Sequence, residues 1–142
     1  MLKQNIRSKI TKVFKLNLID NQIENANILN TVKRRLLINV AEGSRVIDFD
    51  DILRCESMSN YTNIILKSGK PVIVSKTLKQ IENALPSSLF LRCHNSHLIN
   101  RNEVILITKG QIQLTNLDII PISRQKIKEV TNILKRMAVS IL

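Results

Sequence analysis

The sequence has few aromatic residues: one Tyr, three Phe and no Trp. Its core must therefore be aliphatic, and binding of single-stranded nucleic acid by stacking bases on aromatic rings is disfavoured. Glycine is equally scarce, with three residues that lie far apart in the chain. Phosphate-binding loops need clustered glycines, so the sequence contains none of the known kinds.

Cysteine and long apolar runs are also scarce. The two cysteines, Cys55 and Cys93, are too few for a disulfide framework, and their apolar neighbours are typical of reduced, buried thiols. No apolar run approaches the roughly 20 residues that cross a bilayer, and the N-terminus lacks the features of a signal peptide. We therefore expect a cytoplasmic protein.

Positive charge is in excess. Lys and Arg total 22 against 11 acidic residues, which gives a net charge of +11. Such an excess favours a polyanionic partner, and nucleic acid is the commonest one. The 142 residues suffice for one domain with its own core and an additional segment at one end.

Residues 1–33 form the candidate additional segment, and they contain neither Gly nor Pro. Ile6, Ile10 and Val13 recur at helical spacing, although residues 14–18 also alternate like a strand. We predict a basic, helical extension. It can be a linker to a larger architecture, a helix on a membrane surface or an arm on DNA, and its weak apolar face favours the linker.

Residues 34–142 are predicted to form the main domain. Short apolar stretches separated by turn residues indicate strands, and Gly69 and Gly110 mark two hairpins. The predicted strands are 36–40, 45–48, 52–56, 61–67, 71–74, 90–100, 103–108, 111–115 and 119–122. This pattern predicts a mainly β fold.

Two helices complete the domain. The first is capped by Ser75 or Thr77, with Gln80 in the capping-box position, and is closed by Pro86. The second is capped by Ser123. The predicted buried residues are Leu78, Ile81, Ala84 and Leu85 in the first helix and Ile127, Val130, Leu134 and Met137 in the second.

The stretch FLRCHNSHLIN, residues 90–100, carries most of the reactive side chains and is read as one strand. On a strand Cys93 and His94 point to opposite faces, and the Cα atoms of Cys93 and His97 lie about 13 Å apart, so a cysteine nucleophile lacks its base. The Cys and His residues also lack the spacing of a zinc site. We predict no enzyme, no metal, no cofactor and no small-molecule substrate.

Polar side chains that suit DNA recur at two other places. Asn60, Thr62 and Asn63 fall between two strands, where a loop can reach outward. Arg124 lies in the first turn of the last helix, beside free backbone N–H groups that favour phosphate. Asn and Arg side chains can read base edges in a duplex.

Five motifs in register resemble the LytTR family of bacterial DNA-binding domains, from about residue 36 to about residue 134. They are a D-I-x-x-x-E strand followed by N-Y-T, a K-S-G hairpin, an S-x-T-L helix closed by L-P, then F-x-R-x-H-N-S-x-L-I-N, and finally I-P-I-S-R. The resemblance implies an elongated, mostly antiparallel β fold whose loops, rather than a recognition helix, enter the grooves of duplex DNA.

The resemblance also implies which residues touch DNA. The contacts carried over are the Asn60–Asn63 loop with Thr62, Arg92 with Asn95, and Arg124. We expect Lys76 and Arg92 to contact phosphates and Asn95 and Arg124 to read bases. His94 is expected to orient neighbouring backbone and Asn100 to bond a turn, whereas Tyr61 and Phe90 are expected in the core.

The sequence departs from the family pattern in two ways. The usual Gly-containing turn before I-P-I-S-R reads Asn116-Leu117-Asp118 here. Most members carry a receiver domain upstream, which is not recognised in this sequence. The resemblance implies a transcriptional regulator that binds double-stranded promoter DNA as a homodimer on repeated sites. The alternative is a membrane- or partner-binding module that modulates other regulators.

Overall fold

The computed structural model describes residues 34–141, and the predictions for residues 1–33 lie outside this range. Within it the predicted class is confirmed: the chain is mainly β, its sheets are antiparallel, and it has two α-helices. The strands are β1 (Arg35–Val40), β2 (Gly43–Asp48), β3 (Ile52–Met58), β4 (Tyr61–Leu66), β5 (Val72–Val74), β6 (Phe90–His94), β7 (His97–Asn100), β8 (Val104–Thr108), β9 (Gln111–Leu114) and β10 (Ile119–Pro121).

The strands form three sheets. Strands β1 and β2 make a hairpin, the central sheet has the order β5-β4-β3-β7-β6, and the last sheet has the order β10-β9-β8. One apolar cluster joins one face of the central sheet to the hairpin and the first helix. A second cluster packs the other face of β6 and β7 against the last sheet and the second helix. The central sheet is therefore buried on both faces along β6 and β7.

Helix α1 (Leu78–Ala84) begins where the sequence predicts. The hydroxyl of Thr77 accepts from the Gln80 backbone N–H, and the Gln80 side chain accepts from the Thr77 backbone N–H, which completes the capping box. Leu78, Ile81 and Leu85 are buried as expected. The prediction for Ala84 is wrong, because its side chain is exposed.

Helix α2 (Ile127–Lys135) is preceded by a 3-10 turn, Arg124–Lys126. Val130 and Leu134 are buried as predicted. The predicted side-chain cap of Ser123 is wrong: its hydroxyl makes no capping bond, and its backbone carbonyl accepts from Lys126 N–H instead. Met137 lies beyond the helix and is exposed, so its predicted burial is wrong as well.

The stretch at residues 90–100 is not one strand. It folds back at Asn95-Ser96, so β6 and β7 form a hairpin in which Arg92 lies opposite Leu98 and His94 opposite His97. The predicted 13 Å separation of Cys93 and His97 is therefore wrong, and the Cys93 thiol lies 3.8 Å from the His97 carbonyl oxygen. Neither α1 nor α2 is long and apolar enough to cross a membrane.

The two aromatic core predictions have different outcomes. Phe90 is buried and meets Phe49 edge to face, with ring centroids 6.0 Å apart. Tyr61 remains 49% exposed, so its predicted burial is wrong. It starts β4, where alternation turns Thr62 and Ile64 toward the core and Tyr61 away from it.

Leu117 has a backbone conformation that glycine prefers. Its φ is +74°, and its side chain is 66% exposed. In this left-handed conformation a leucine destabilises the folded state by about 1 kcal/mol relative to glycine. Glycine recovers only part of this energy, because its unfolded chain has more conformational freedom to lose. We expect Leu117→Gly to raise the free energy of unfolding by about 0.5 kcal/mol in urea denaturation.

Leu37→Gly is the matched control, because Leu37 is 65% exposed and lies within β1. There glycine is expected to destabilise, since a strand interior penalises its freedom. An equal loss of stability in both variants would show that backbone strain at Leu117 is unimportant.

Candidate nucleic-acid interface

Three of the predicted recognition segments meet at one end of the central sheet. The register pairs Glu56 of β3 with His97 of β7, so the β3–β4 turn and the β6–β7 turn lie at the same end. Val74 of β5 pairs with Thr62, which brings the following residues, including Lys76, to that end as well. We call this end the polar end of the central sheet.

Backbone hydrogen bonds fix these segments to one another. Ser57 N–H donates to the Ser96 carbonyl at 2.9 Å, which joins the end of β3 to the β6–β7 turn. Ser123 N–H donates to the Cys93 carbonyl at 2.9 Å, which joins the start of the 3-10 turn to β6. The turns that carry Asn60 and Asn95 and the segment that carries Arg124 are therefore parts of one hydrogen-bonded frame.

The first predicted loop is shorter than expected. Strand β4 begins at Tyr61, so Ser59 and Asn60 alone form the turn, with Ser59 at a φ of +57°. Asn60 is exposed, as a DNA contact requires. Asn63 lies within the strand and is half-buried, and its carboxamide oxygen is buried without a hydrogen-bond partner in the described part of the chain.

The predicted loop position of Thr62 is wrong. Its side chain is 0% exposed, because it faces the core from β4. Its hydroxyl donates to the backbone carbonyl of Lys76 at 2.8 Å. Thr62 thus holds the backbone of Lys76, whose own side chain is exposed just before the cap of α1.

Arg92 is committed to partners inside the chain. Its Nε donates to the His94 carbonyl at 2.9 Å, one terminal nitrogen donates to the Asn95 carbonyl, and the other donates to the Glu82 carboxylate at 2.8 Å. Its side chain is only 19% exposed. These contacts argue against the predicted phosphate contact and assign Arg92 to holding the β6–β7 turn.

The β6–β7 turn exposes Asn95 and uses His94 as a support. His94 Nδ1 accepts from the Ser96 backbone N–H at 3.0 Å. The predicted structural role of His94 is thereby confirmed. Asn95 is exposed at the tip of the turn, whose backbone Arg92 and His94 hold.

Arg124 is exposed at the start of the 3-10 turn, beside the bond from Ser123 to Cys93. Lys126 in the same turn donates from Nζ to the Arg92 carbonyl at 3.3 Å. The sequence therefore placed Asn60, Lys76, Asn95 and Arg124 on segments that the fold brings together.

The thiols are poor nucleophiles. Burial raises the pKa of Cys55 to about 12 and that of Cys93 to about 12, although nearby cationic side chains oppose the shift. A thiol with such a pKa is protonated at neutral pH. Within residues 34–141 no group of three or more His, Cys, Asp or Glu side chains is placed to hold a metal ion.

Sequence reasoning missed Glu82, Lys126 and Ser57. Glu82 lies on α1, ten residues before its partner Arg92, and nothing in the local pattern connects the two. Ser57 acts through its backbone, which carries no residue-specific signal. In the sequence Lys126 is one basic residue among many, and only its spacing of two from Arg124 suggests a position near the interface.

The lowered pKa of His97 predicts that the stability of the domain depends on pH. Burial lowers its pKa below the ordinary value of 6.5, the Glu56 carboxylate opposes this, and Arg54 and His94 add to it. The unfolded chain then binds the proton at a higher pH than the native chain, so stability falls as pH drops through about 6.5.

The test is urea denaturation between pH 8 and pH 5.5 for the natural chain and His97→Gln. We expect the decrease below pH 7 to be smaller in the variant, while the two curves run parallel above pH 7. The same decrease in both would mean that other groups cause it.

Comparison with known proteins finds a family model, a curated relative and solved structures that are similar to this chain. A family model described as the LytTr DNA-binding domain matches residues 42–135. The heme-containing CO-sensing transcriptional regulator RcoM 2 of Paraburkholderia xenovorans is 33% identical over 79 residues, which are 54% of this chain and 29% of the relative. The chain thus matches under one third of that protein.

The solved LytTr DNA-binding domain of a putative methyl-accepting/DNA response regulator from Bacillus cereus has the same fold. It superposes with a TM-score of 0.61 at 20% identity and covers 71% of this chain and 96% of its own. The polar end of the central sheet therefore lies in a domain of known architecture.

Proposed function

Because the chain belongs to the LytTr family of DNA-binding domains, we propose that it binds double-stranded promoter DNA in a sequence-specific manner, as a transcriptional regulator in the bacterial cytoplasm. The observation that carries this proposal is the convergence of Asn60, Lys76, Asn95 and Arg124 at one end of the central sheet. Each of these side chains is exposed.

The proposed contacts of these side chains with phosphates or with bases follow from their chemistry. Lys76 supplies a point charge for phosphate, and the net charge of +11 supplies salt-dependent attraction. Asn95 and Arg124 carry donors and acceptors that can pair with base edges, and Asn60 is the third candidate. The frame of hydrogen bonds supports this proposal, because base readout needs side chains held at fixed positions.

The wider assembly is also a proposal. Residues 34–142 act as the DNA-binding domain and residues 1–33 as its linker, in a stand-alone regulator or in a response regulator with a receiver domain. Two copies bind repeated sites. The proposed role is binding without catalysis or a cofactor, consistent with two thiols whose pKa burial raises to about 12.

The experiment is selection of a random duplex pool by the full chain, followed by fluorescence anisotropy at two salt concentrations. We expect enrichment of a repeated motif, with affinity that falls as salt rises. An Asn95→Ala variant should enrich a less defined motif. Gln125→Ala is the control, because Gln125 is exposed beside Arg124 and has no proposed role.

Uniform binding to all duplexes, lost at the higher salt concentration, would refute sequence-specific recognition. It would favour the interaction module instead. Co-sedimentation with anionic liposomes, compared between the full chain and a chain lacking residues 1–33, would then test the membrane form of that alternative.

A further inference from the structure

Arg92 links α1 to the β6–β7 turn through a single guanidinium. Two of its nitrogens hold the carbonyls of His94 and Asn95, and the third is paired with Glu82 at 2.8 Å. Hydrogen bonds between charged partners are about twice as strong as neutral ones. The Glu82 carboxylate thus fixes the Arg92 guanidinium, and the guanidinium holds the β6–β7 turn.

We propose that Glu82, acting through Arg92, is a positioning residue for Asn95 in DNA recognition. This inference rests on the proposed function, and its first test below does not. The helix makes Glu82 a firm anchor: the capping box closes one end of α1, and Leu78, Ile81 and Leu85 are buried against the core.

The β6–β7 turn is held by side-chain bonds from Arg92 and His94 as well as by the turn preference of Asn95 and Ser96. It contains neither Gly nor Pro, and the ladder between β6 and β7 is irregular between Arg92 and His94. The carbonyls of His94 and Asn95 point to the guanidinium of Arg92. When Arg92 loses its anchor, both carbonyls lose a fixed donor and the side chain of Asn95 loses its direction.

Loss of the Glu82 carboxylate changes DNA affinity in opposite directions through its charge and through its positioning of Asn95, so affinity measurements distinguish the two. Removing a carboxylate from a protein of net charge +11 increases its attraction for any duplex. Loss of positioning weakens binding only where Asn95 reads a base. A merely structural carboxylate, by contrast, would change stability and leave the preference between duplexes unchanged.

The first test needs no DNA. Backbone ¹H–¹⁵N spectra of Glu82→Ala are expected to show shifted Asn95 and Ser96 amide signals, together with faster amide exchange in the turn. Lys79→Ala is the control, because Lys79 lies 3.8 Å from the same carboxylate oxygen and does not reach the turn. Unchanged Asn95 and Ser96 signals in Glu82→Ala would overturn the proposal.

The second test compares binding of a selected and a random duplex. We expect Glu82→Ala to lose about fivefold in affinity for the selected duplex, equivalent to about 1 kcal/mol, and to lose none for the random one. Glu82→Gln should retain most of the preference, because its amide oxygen can still accept from Arg92. Glu129→Ala, which removes an exposed carboxylate from α2, should tighten both.

A double variant completes the test. In an Asn95→Ala background, Glu82→Ala should cost no further affinity for the selected duplex, because the side chain that it positions is absent. An additional fivefold loss there would overturn the proposed link to Asn95. A natural chain without any duplex preference would instead refute the proposed function, and the spectra would then decide whether Glu82 positions the turn.

Discussion

Replacing Asn100 with alanine is expected to lower the free energy of unfolding by about 3 kcal/mol. The side chain is 1% exposed and joins the turn at residues 49–52 to the turn at residues 101–103. Its Nδ2 donates to the Ile52 carbonyl at 2.9 Å and to the Phe49 carbonyl at 3.5 Å, and its Oδ1 accepts from Asn102 N–H at 3.0 Å. Alanine leaves buried polar groups without partners and also leaves a cavity.

Urea denaturation measures this effect, and two further variants separate its causes. Asn102→Ala is the control, because its side chain is exposed and only its backbone takes part. Asn100→Leu has similar volume without the hydrogen bonds, so a loss as large as that of Asn100→Ala identifies the bonds as the main term. A loss below 1 kcal/mol in Asn100→Ala would mean that both turns keep their conformation without the Asn100 side chain.

Replacing Arg124 with alanine is expected to cost about 1 to 3 kcal/mol of binding free energy on a selected duplex and to relax specificity at one base pair. Arg124 is exposed at the start of the 3-10 turn, and the Ser123–Cys93 bond fixes its backbone. A guanidinium in such a place can offer two donors to one guanine.

Lys76→Ala is the contrasting variant. Its ammonium carries charge without base preference, so all duplexes should lose affinity about equally, and the slope of log affinity against log salt should fall by about one. Anisotropy titrations of both variants with each single-base change of the selected duplex provide the measurement. Equal effects of Arg124→Ala on selected and random duplexes would exclude base reading by Arg124.

The features that sequence predicted correctly depend on neighbouring residues. The capping box of α1 is complete within four residues, and the hairpin turns at Gly69 and Gly110 both have positive φ. Such features can be predicted from sequence because the interacting residues are close together in the chain.

The features that sequence missed depend on distant partners. The turn at Asn95-Ser96 carries no Gly, and it forms because Arg92 and His94 bond its backbone. Thr62 belongs to an exposed loop by sequence, whereas pairing with Val74 turns it into the core. Glu82 and Arg92 are ten residues apart, and no local sequence pattern indicates that they pair. Their ion pair is visible only in the folded structure.

The bonds Ser57–Ser96 and Ser123–Cys93 hold the turns at set distances from one another. Bases along a duplex advance by about 3.4 Å per step and rotate by about 35°. If Asn95 and Arg124 read bases as proposed, inserting one base pair between the two steps displaces one of them farther than the hydrogen-bonded frame can move. The proposed recognition therefore depends on the spacing between the two base pairs as well as on their identity.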